Sequence, residues 1–356
     1  GLGNFDQVGL MKWLSGRVVG VSPYVSELHE GLSGSASPQD AETMFQMIHG
    51  YFTATRTDSV TFASLRKRLG AMVENRSARP ETAYGDTIQV TMAQHHYRAR
   101  PWSEPMLSEL DLQKSMQVFR ERFADASDFN FFFVGNLTPE ALEPLVERYL
   151  ASLPALNRGD TWRDIGMQPP VGVVTRTVRR GLEPKASTQM LFTGPFDFDN
   201  RKDRLQIGLM AEVFQIKLRE VLREDLGGTY GVGVSARPSR YPSGSYRLSI
   251  NFGCDPERVE ELTAAVFTQI DTLQMVGLDS TYTEKVREIR RREREVNLQE
   301  NGWWLSLLEW VHKHEVEPLL ILDDSISESF SPTDVLRASA WFDRSNYARF
   351  VMLPEE

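Results

Sequence analysis

The sequence predicts a mixed α/β (α+β) fold of two tandem homologous domains, each a mainly antiparallel sheet covered by helices on one face. A length of 356 residues suits two domains. The order helix, two strands, proline-started helix occurs twice, and a stretch at 154–170 that contains proline and glycine separates the two copies. We therefore assign 1–158 to the first domain and 168–356 to the second.

The first copy begins inside a helix. Apolar residues with helical spacing run from 5 to 15, and strand-like segments follow over 17–36. Ser37 is predicted to cap the next helix, with Pro38 in its first turn. Further helices are predicted over 58–75, 84–95, 108–124 and 139–152, with a buried strand over 128–134.

The second copy has two strands before its first helix. These strands are predicted over 171–180 and 185–194, and a helix over 200–224 ends at Gly227-Gly228. The remaining predicted elements are strands over 229–237 and 245–253, helices over 256–275 and 279–300, a further helix capped by Ser331-Pro332, and a last strand over 346–353.

The first copy lacks the two leading strands of the second. A sheet without them would expose an edge that proteins normally cover. The chain also begins Gly1-Leu2-Gly3, without a methionine. We therefore expect the first domain to be N-terminally truncated and the natural polypeptide to extend further in that direction.

Composition excludes several classes of function. The formal net charge of −9 argues against a nucleic-acid partner, which usually requires a basic surface. No run of about 18 apolar residues predicts a membrane span. The single cysteine, Cys254, rules out an internal disulfide and is interpreted as a small buried apolar residue.

One segment combines groups suited to chemistry. Arg223 lies on the last turn of the predicted helix over 200–224, and Tyr230 follows seven residues later at the start of a strand. A guanidinium fork and a phenol together suit a peptide carbonyl that becomes an oxyanion. The alternative is structural, with Arg223 favouring the helix dipole and Tyr230 half-buried in the strand.

The segment 222–230, Leu-Arg-Glu-Asp-Leu-Gly-Gly-Thr-Tyr, resembles the arginine/tyrosine element of the C-terminal half of pitrilysin/insulysin-type (insulinase family) zinc peptidases. The spacing of seven residues from arginine to tyrosine matches. Three other segments, 30–35, 53–58 and 131–137, resemble the third domain of the long single-chain bacterial members. The resemblance covers nearly the whole chain.

The resemblance implies four related domains in two halves that close around a chamber. Zinc would be bound by the N-terminal half, which this chain lacks, and none by this chain. The third and fourth domains would close the chamber and bind a peptide or unfolded polypeptide, with Arg223 and Tyr230 as catalytic and substrate-binding residues. The complete protein would be a metalloendopeptidase, whereas this chain alone would be inactive. Family resemblance favours the periplasm, and the cytoplasm is the alternative location.

The histidines do not form the family's metal motif. Neither His-x-x-Glu-His nor His-Glu-x-x-His occurs, and His312 and His314 are interpreted as part of a packed helix end. A second hypothesis therefore stays open: a catalytically inactive homologue that serves as a partner subunit or scaffold. Retention of both Arg223 and Tyr230 favours the peptidase half.

Overall fold

The computed structural model describes residues 1–355 and shows a mixed α/β protein, which confirms the predicted fold class. Its strands are β1 Val19–Val25, β2 Glu30–Ala36, β3 Val173–Arg179, β4 Ala186–Pro195, β5 Thr229–Ser239, β6 Ser245–Cys254 and β7 Tyr347–Leu353. Its helices are α1 Gln7–Trp13, α2 Ala41–Thr53, α3 Ser59–Glu74, α4 Pro80–Met92, α5 Glu104–Ser108, α6 Leu112–Arg122, α7 Pro139–Leu145, α8 Arg201–Arg219, α9 Val259–Met275, α10 Ser280–Asn297, α11 Asn301–His314, α12 Ser325–Glu328 and α13 Pro332–Ala338.

The residues group into two compact units that interleave along the chain. Unit 1 comprises Gly1–Glu74, Trp102–Arg163 and Asn301–Lys313. Unit 2 comprises Asn75–Pro101, Asp164–Glu300 and the segment from His314 onward. Each unit thus includes one segment from the other side of the predicted linker at 154–170. The assignment of 1–158 and 168–356 to two homologous domains stays a prediction.

Unit 1 contains a hairpin of two strands with helices packed on it. Strands β1 and β2 pair antiparallel, from Val19 opposite Ala36 to Val25 opposite Glu30. Helix α2 lies against this hairpin and buries Phe45 completely. The Phe45 ring stacks on Phe133 with 5.0 Å between ring centroids.

The strand predicted over 128–134 does not form. Its apolar run is partly buried, since Phe131 and Phe133 pack against the cluster that includes Met47 and Ile48. However, the segment has no ladder partner among residues 1–355. The prediction was wrong because an apolar run reports burial, whereas a strand also needs a neighbouring strand to accept its backbone hydrogen bonds.

A buried carboxylate ties two loops of unit 1 together. Asp125 is fully buried and accepts hydrogen bonds from the Ser127 hydroxyl (2.6 Å) and from the amides of Leu156 (2.8 Å) and Arg158 (2.7 Å). Burial alone would raise the pKa of Asp125, but these hydrogen bonds outweigh it and hold the pKa well below its usual range.

We expect Asp125→Asn to lower the melting temperature by several degrees at pH 7, because the amide cannot carry the charge that these donors stabilise. A carboxyl group whose pKa is lower in the folded state stabilises the fold at pH values above its unfolded-state pKa of about 3.9. This stabilisation is lost as pH falls from that value toward the folded-state pKa. The difference from wild type should therefore shrink between pH 5 and about pH 3. Urea unfolding at pH 5 and at about pH 3 measures this difference in stability. Glu143→Gln at an exposed position is the matched carboxylate-to-amide control. An equal loss at both pH values would contradict the assignment.

The sheet of unit 2 positions the candidate site. Its strand order is β3-β7-β4-β6-β5, with the β3/β7 pair parallel and every other pair antiparallel. Strand β5 therefore lies at one edge of this sheet, paired with β6. The edge is partly protected, since the Val234 amide donates to the Gln215 side chain of α8 at 3.0 Å.

Alternating side chains of this sheet meet different surroundings. One face carries Phe192, Leu248 and Ile250, which are fully buried on the side of α8 and α9. On the other face, α4 packs over Leu191, Ala348 and Phe350. That cover was not predicted, and it leaves the β5/β6 half of this face uncovered. We call this half the open face; its outward residues are Gly233, Ser235, Arg237, Arg247, Ser249 and Asn251.

Helix α10 carries ion pairs on its exposed side, where Arg291 pairs with Glu288 (2.9 Å) and Glu295 (2.6 Å). One smaller prediction is confirmed. Cys254 is buried, and burial raises the pKa of its thiol to about 11. Among the described residues, no helix has the length and apolar character needed to cross a bilayer.

Candidate substrate-binding site

Arg223 lies on a widened helical turn. Helix α8 starts at the N-cap Asn200 and passes at its C-terminus into a π-helical turn, Glu220–Asp225. The Leu226 amide closes this turn onto the Val221 carbonyl at 3.0 Å. Such turns are rare and occur frequently at functional sites. Arg223 is exposed on this turn, while its neighbour Leu222 is fully buried and fixes the turn to the core.

Two glycines connect the π-turn to the strand. Gly227 has φ of +58°, the left-handed conformation that glycine adopts without strain. The Gly228 amide donates to the Leu222 carbonyl at 2.9 Å. A Cβ atom at Gly228 would lie 2.6 Å from a Leu262 methyl carbon, so no larger residue fits without a shift. The connection is therefore set by both backbone conformation and packing.

Tyr230 is the extra residue of a β-bulge. The register of β5 against β6 shifts between Thr229 and Gly231. The buried Thr229 hydroxyl holds this irregularity, lying 2.6 Å from the Gly253 carbonyl and 2.8 Å from the Gly231 carbonyl. Bulges re-aim side chains and occur next to active sites. Here the bulged Tyr230 is 89% exposed, so the half-burial that the structural alternative expects of this residue is wrong.

Both predicted site residues thus flank one short, well-fixed turn. Among residues 1–355, neither the Arg223 guanidinium nor the Tyr230 hydroxyl has a hydrogen-bond or ion-pair partner, and no hydrogen bond or cation–π contact joins the two side chains. The arrangement offers a planar fork of donors and one phenolic donor to a ligand from solvent. Their roles in binding and catalysis stay predictions.

Two residues that stabilise this turn come from elsewhere in unit 2, and neither was predicted from the sequence. The Arg258 guanidinium donates to the Leu226 carbonyl at 3.2 Å and is held by Glu261. The Tyr282 hydroxyl donates to Glu220, the first residue of the π-turn. Burial, followed by the hydrogen bond to Glu220 and its charge, raises the pKa of Tyr282 to about 12. Both contacts join distant segments, so no local pattern signals them.

The histidines do not assemble a metal site in the described part of the chain. Residues 1–355 contain no group of three or more His, Cys, Asp or Glu side chains placed to hold a metal ion. The His312 ring instead lies 5.6 Å from Phe132, and the His314 ring lies 4.8 Å from Phe198. These contacts agree with the interpretation of a packed helix end. The residues present therefore do not fit the zinc ion of the family.

The sequence profile described as peptidase M16 inactive domain matches residues 112–289, which is half of the chain and includes Arg223 and Tyr230. The chain belongs to this family. The match confirms the resemblance to the C-terminal half of an insulinase-family zinc peptidase.

Named relatives point the same way. A zinc protease PQQL-like protein of Arabidopsis thaliana is 26% identical over 75% of this chain and 29% of its own length. The crystal structure of the periplasmic protease PqqL of Escherichia coli has a TM-score of 0.85 at 18% identity, covering all of this chain and 39% of that one. The peptidase M16 inactive domain of Pseudomonas fluorescens has a TM-score of 0.77 at 14% identity, covering all of this chain and 85% of that one. The M16 chain spans under a third of the curated relative it matches.

Proposed function

We propose that this M16 chain is the non-metal-binding half of a zinc-dependent endopeptidase, which closes the proteolytic chamber and binds the peptide substrate. Its partner is the zinc-binding N-terminal half of the same protein. The observation that carries the proposal is the pair of exposed donors, Arg223 and Tyr230, on a turn fixed by a π-turn, two glycines and a bulge. A surface this rigid, presenting donors without protein partners, suits a ligand.

The chemistry of the two donors suits a carbonyl that gains charge. The Arg223 fork offers two parallel N–H groups to a peptide carbonyl oxygen, and the Tyr230 hydroxyl offers a third donor. Because the turn is already fixed, little reorganisation accompanies the reaction, and hydrogen bonds strengthen as the oxygen becomes negative. Zinc held by the other half would supply the metal chemistry. This chain would bind the peptide carbonyl and orient it.

The inactive-homologue hypothesis makes a different forecast. A scaffold or partner subunit would keep its interactions when Arg223 and Tyr230 are changed, because both residues are exposed and neither has a hydrogen-bond or ion-pair partner in the described chain. Exposed residues without partners are free to vary in a scaffold, so a loss of cleavage in the complete protein on changing either one would favour the peptidase half.

We infer a periplasmic location from the family relationship, since the PqqL of Escherichia coli is described as a periplasmic protease. Cell fractionation of the source organism tests this, with the cytoplasm as the competing outcome.

We expect the isolated chain to bind no stoichiometric zinc and to cleave no peptide. The physical reason is that structural and catalytic zinc sites need three or four converging nitrogen, sulfur or carboxylate ligands. Metal analysis after dialysis against zinc, together with a quenched-fluorescence peptide assay, measures both expectations. Activity should appear only when the separately produced zinc-binding half is added, with that half alone as the control. One tightly held zinc per isolated chain, with cleavage abolished by a chelator, would overturn the assignment.

A further inference from the structure

Two arginines oppose each other on the open face. Arg237 of β5 and Arg247 of β6 are direct cross-strand partners in the antiparallel ladder, and both side chains are exposed. Neighbouring strands lie about 4.8 Å apart, and like charges directly opposite destabilise a sheet. A pair that costs stability and serves no packing role in the core calls for another explanation.

No carboxylate in the described part of the chain compensates this pair. Among residues 1–355, neither Arg237 nor Arg247 has a hydrogen-bond or ion-pair partner. On β4 the residue opposite Arg247 is the neutral Thr193. By contrast, Arg349 in the same sheet is paired with Glu260 at 2.6 Å, and Arg240 pairs with Asp199 at 3.1 Å. Partial desolvation and the charge of Arg237 lower the pKa of the Arg247 guanidinium, which agrees with an uncompensated pair.

We propose that Arg237 and Arg247 form a specificity subsite that binds an acidic side chain of an extended peptide substrate. Two guanidinium groups can each donate to the two oxygens of one carboxylate, which would also remove their mutual repulsion. The proposal rests on the proposed function, because the same strand carries Tyr230 at its start.

The strand fixes where on the peptide the acidic residue should lie. Tyr230 and Arg237 are seven residues apart along β5, which is about 23 Å at roughly 3.3 Å per residue. An extended peptide lying along the strand therefore places the acidic side chain about seven residues from the bond held at Tyr230. The intervening residues on this face are small, namely Gly231, Gly233 and Ser235. A Cβ atom at Gly231 would meet no atom within 4 Å, so space above the strand is available there.

The charge of the chain favours an acidic peptide over a nucleic acid. The net charge is −9, so a long polyanion would be repelled outside this local pair. A single carboxylate engages two arginines without meeting the acidic remainder of the surface.

Peptide binding to the 356-residue chain tests the subsite directly. The probes are two pairs of fluorescent 16-residue peptides that have no other charged side chain. The two members of a pair differ only in carrying Asp or Asn, which lies seven residues before a central bond in one pair and seven residues after it in the other. Anisotropy titration should show the Asp peptide binding about tenfold tighter than the Asn peptide. In the double variant R237Q/R247Q this preference should vanish. The variant should melt at or above the wild-type temperature, because it loses only a repulsion.

The control removes the same charge elsewhere. Lys67 and Arg68 are exposed on α3, so K67Q/R68Q lowers the net charge by the same two units and should keep the Asp preference. Equal binding of both peptides to wild type, an Asp preference that survives in R237Q/R247Q, no peptide binding at all, or tighter binding of a single-stranded oligonucleotide would each overturn the subsite. The first two outcomes leave the roles of Arg223 and Tyr230 untouched, because those roles are measured by cleavage of the Asn peptides in the complete protease. The absence of any peptide binding would count against the proposed function as well.

Discussion

Tyr230→Phe should lower kcat of the complete protease by about 10²–10³ while leaving KM nearly unchanged, as removal of one oxyanion donor does. The reason is that the phenol hydrogen bond becomes stronger when the carbonyl oxygen turns negative, so its loss is felt mainly in the transition state. Steady-state cleavage of a quenched peptide by the reconstituted enzyme measures both parameters.

The position of Tyr230 makes this substitution a clean test. Tyr230 is 89% exposed and its hydroxyl has no hydrogen-bond partner within residues 1–355, so Phe should leave the melting temperature unchanged. Tyr97 provides a matched control, because it is 64% exposed in the same unit and loses the same hydroxyl as Tyr97→Phe. Wild-type turnover in Tyr230→Phe would remove this residue from the catalytic machinery. A drop of equal size in Tyr97→Phe would mark the effect as non-specific.

Local signals predicted most of the secondary structure. The cap residues show why, since Thr138 accepts from the Ala141 amide and Ser331 forms a capping box with Asp334. Ser37 was also predicted as a cap, but its hydroxyl bonds instead to the Asp40 carboxylate at 2.8 Å and caps no backbone amide. A side chain that could cap a helix can also form a hydrogen bond with another polar group nearby. The sequence shows which groups are available but not which of these bonds forms.

Tertiary relationships account for the larger errors. The apolar run at 128–134 was predicted as a strand, yet it packs through its phenylalanines without joining a sheet. Helix α4 was predicted as a helix, but its position over Leu191 and Phe350 was not. Periodicity shows that a segment has an apolar face, and it carries no information about which distant segment that face meets.

The site divides in the same way. The turn between Arg223 and Tyr230 could be predicted from the sequence, because it depends on neighbouring residues, among them two glycines. The π-turn and the bulge at Tyr230 were not predicted, since one depends on hydrogen-bond register within the helix and the other on pairing with β6. The exposure of Tyr230 follows from the bulge, and only this exposure separates a ligand-binding role from a packed one.

Arg223→Lys should lower kcat/KM of the complete protease about tenfold, and Arg223→Ala should lower it by roughly 10²-fold, in line with the loss of one and of all charge-assisted hydrogen bonds. The difference between the two variants separates geometry from charge. Lysine keeps the positive charge at the end of the π-turn but offers a rotating ammonium in place of the planar fork. An alanine removes both.

Arg219 supplies the comparison that makes this result interpretable. It is the last residue of α8, four residues before Arg223. It is also exposed and likewise has no ion-pair partner in the described chain. Both arginines sit near the same helix C-terminus, where a cation favours the dipole, so Arg219→Ala removes the same kind of electrostatic contribution to the helix as Arg223→Ala, whereas either lysine variant keeps it. If the helix dipole is what Arg223 serves, the two positions should respond alike, with small losses of stability and no loss of turnover. If Arg223 holds the substrate carbonyl, only the Arg223 variants should lose kcat/KM, and the lysine should recover part of what the alanine loses.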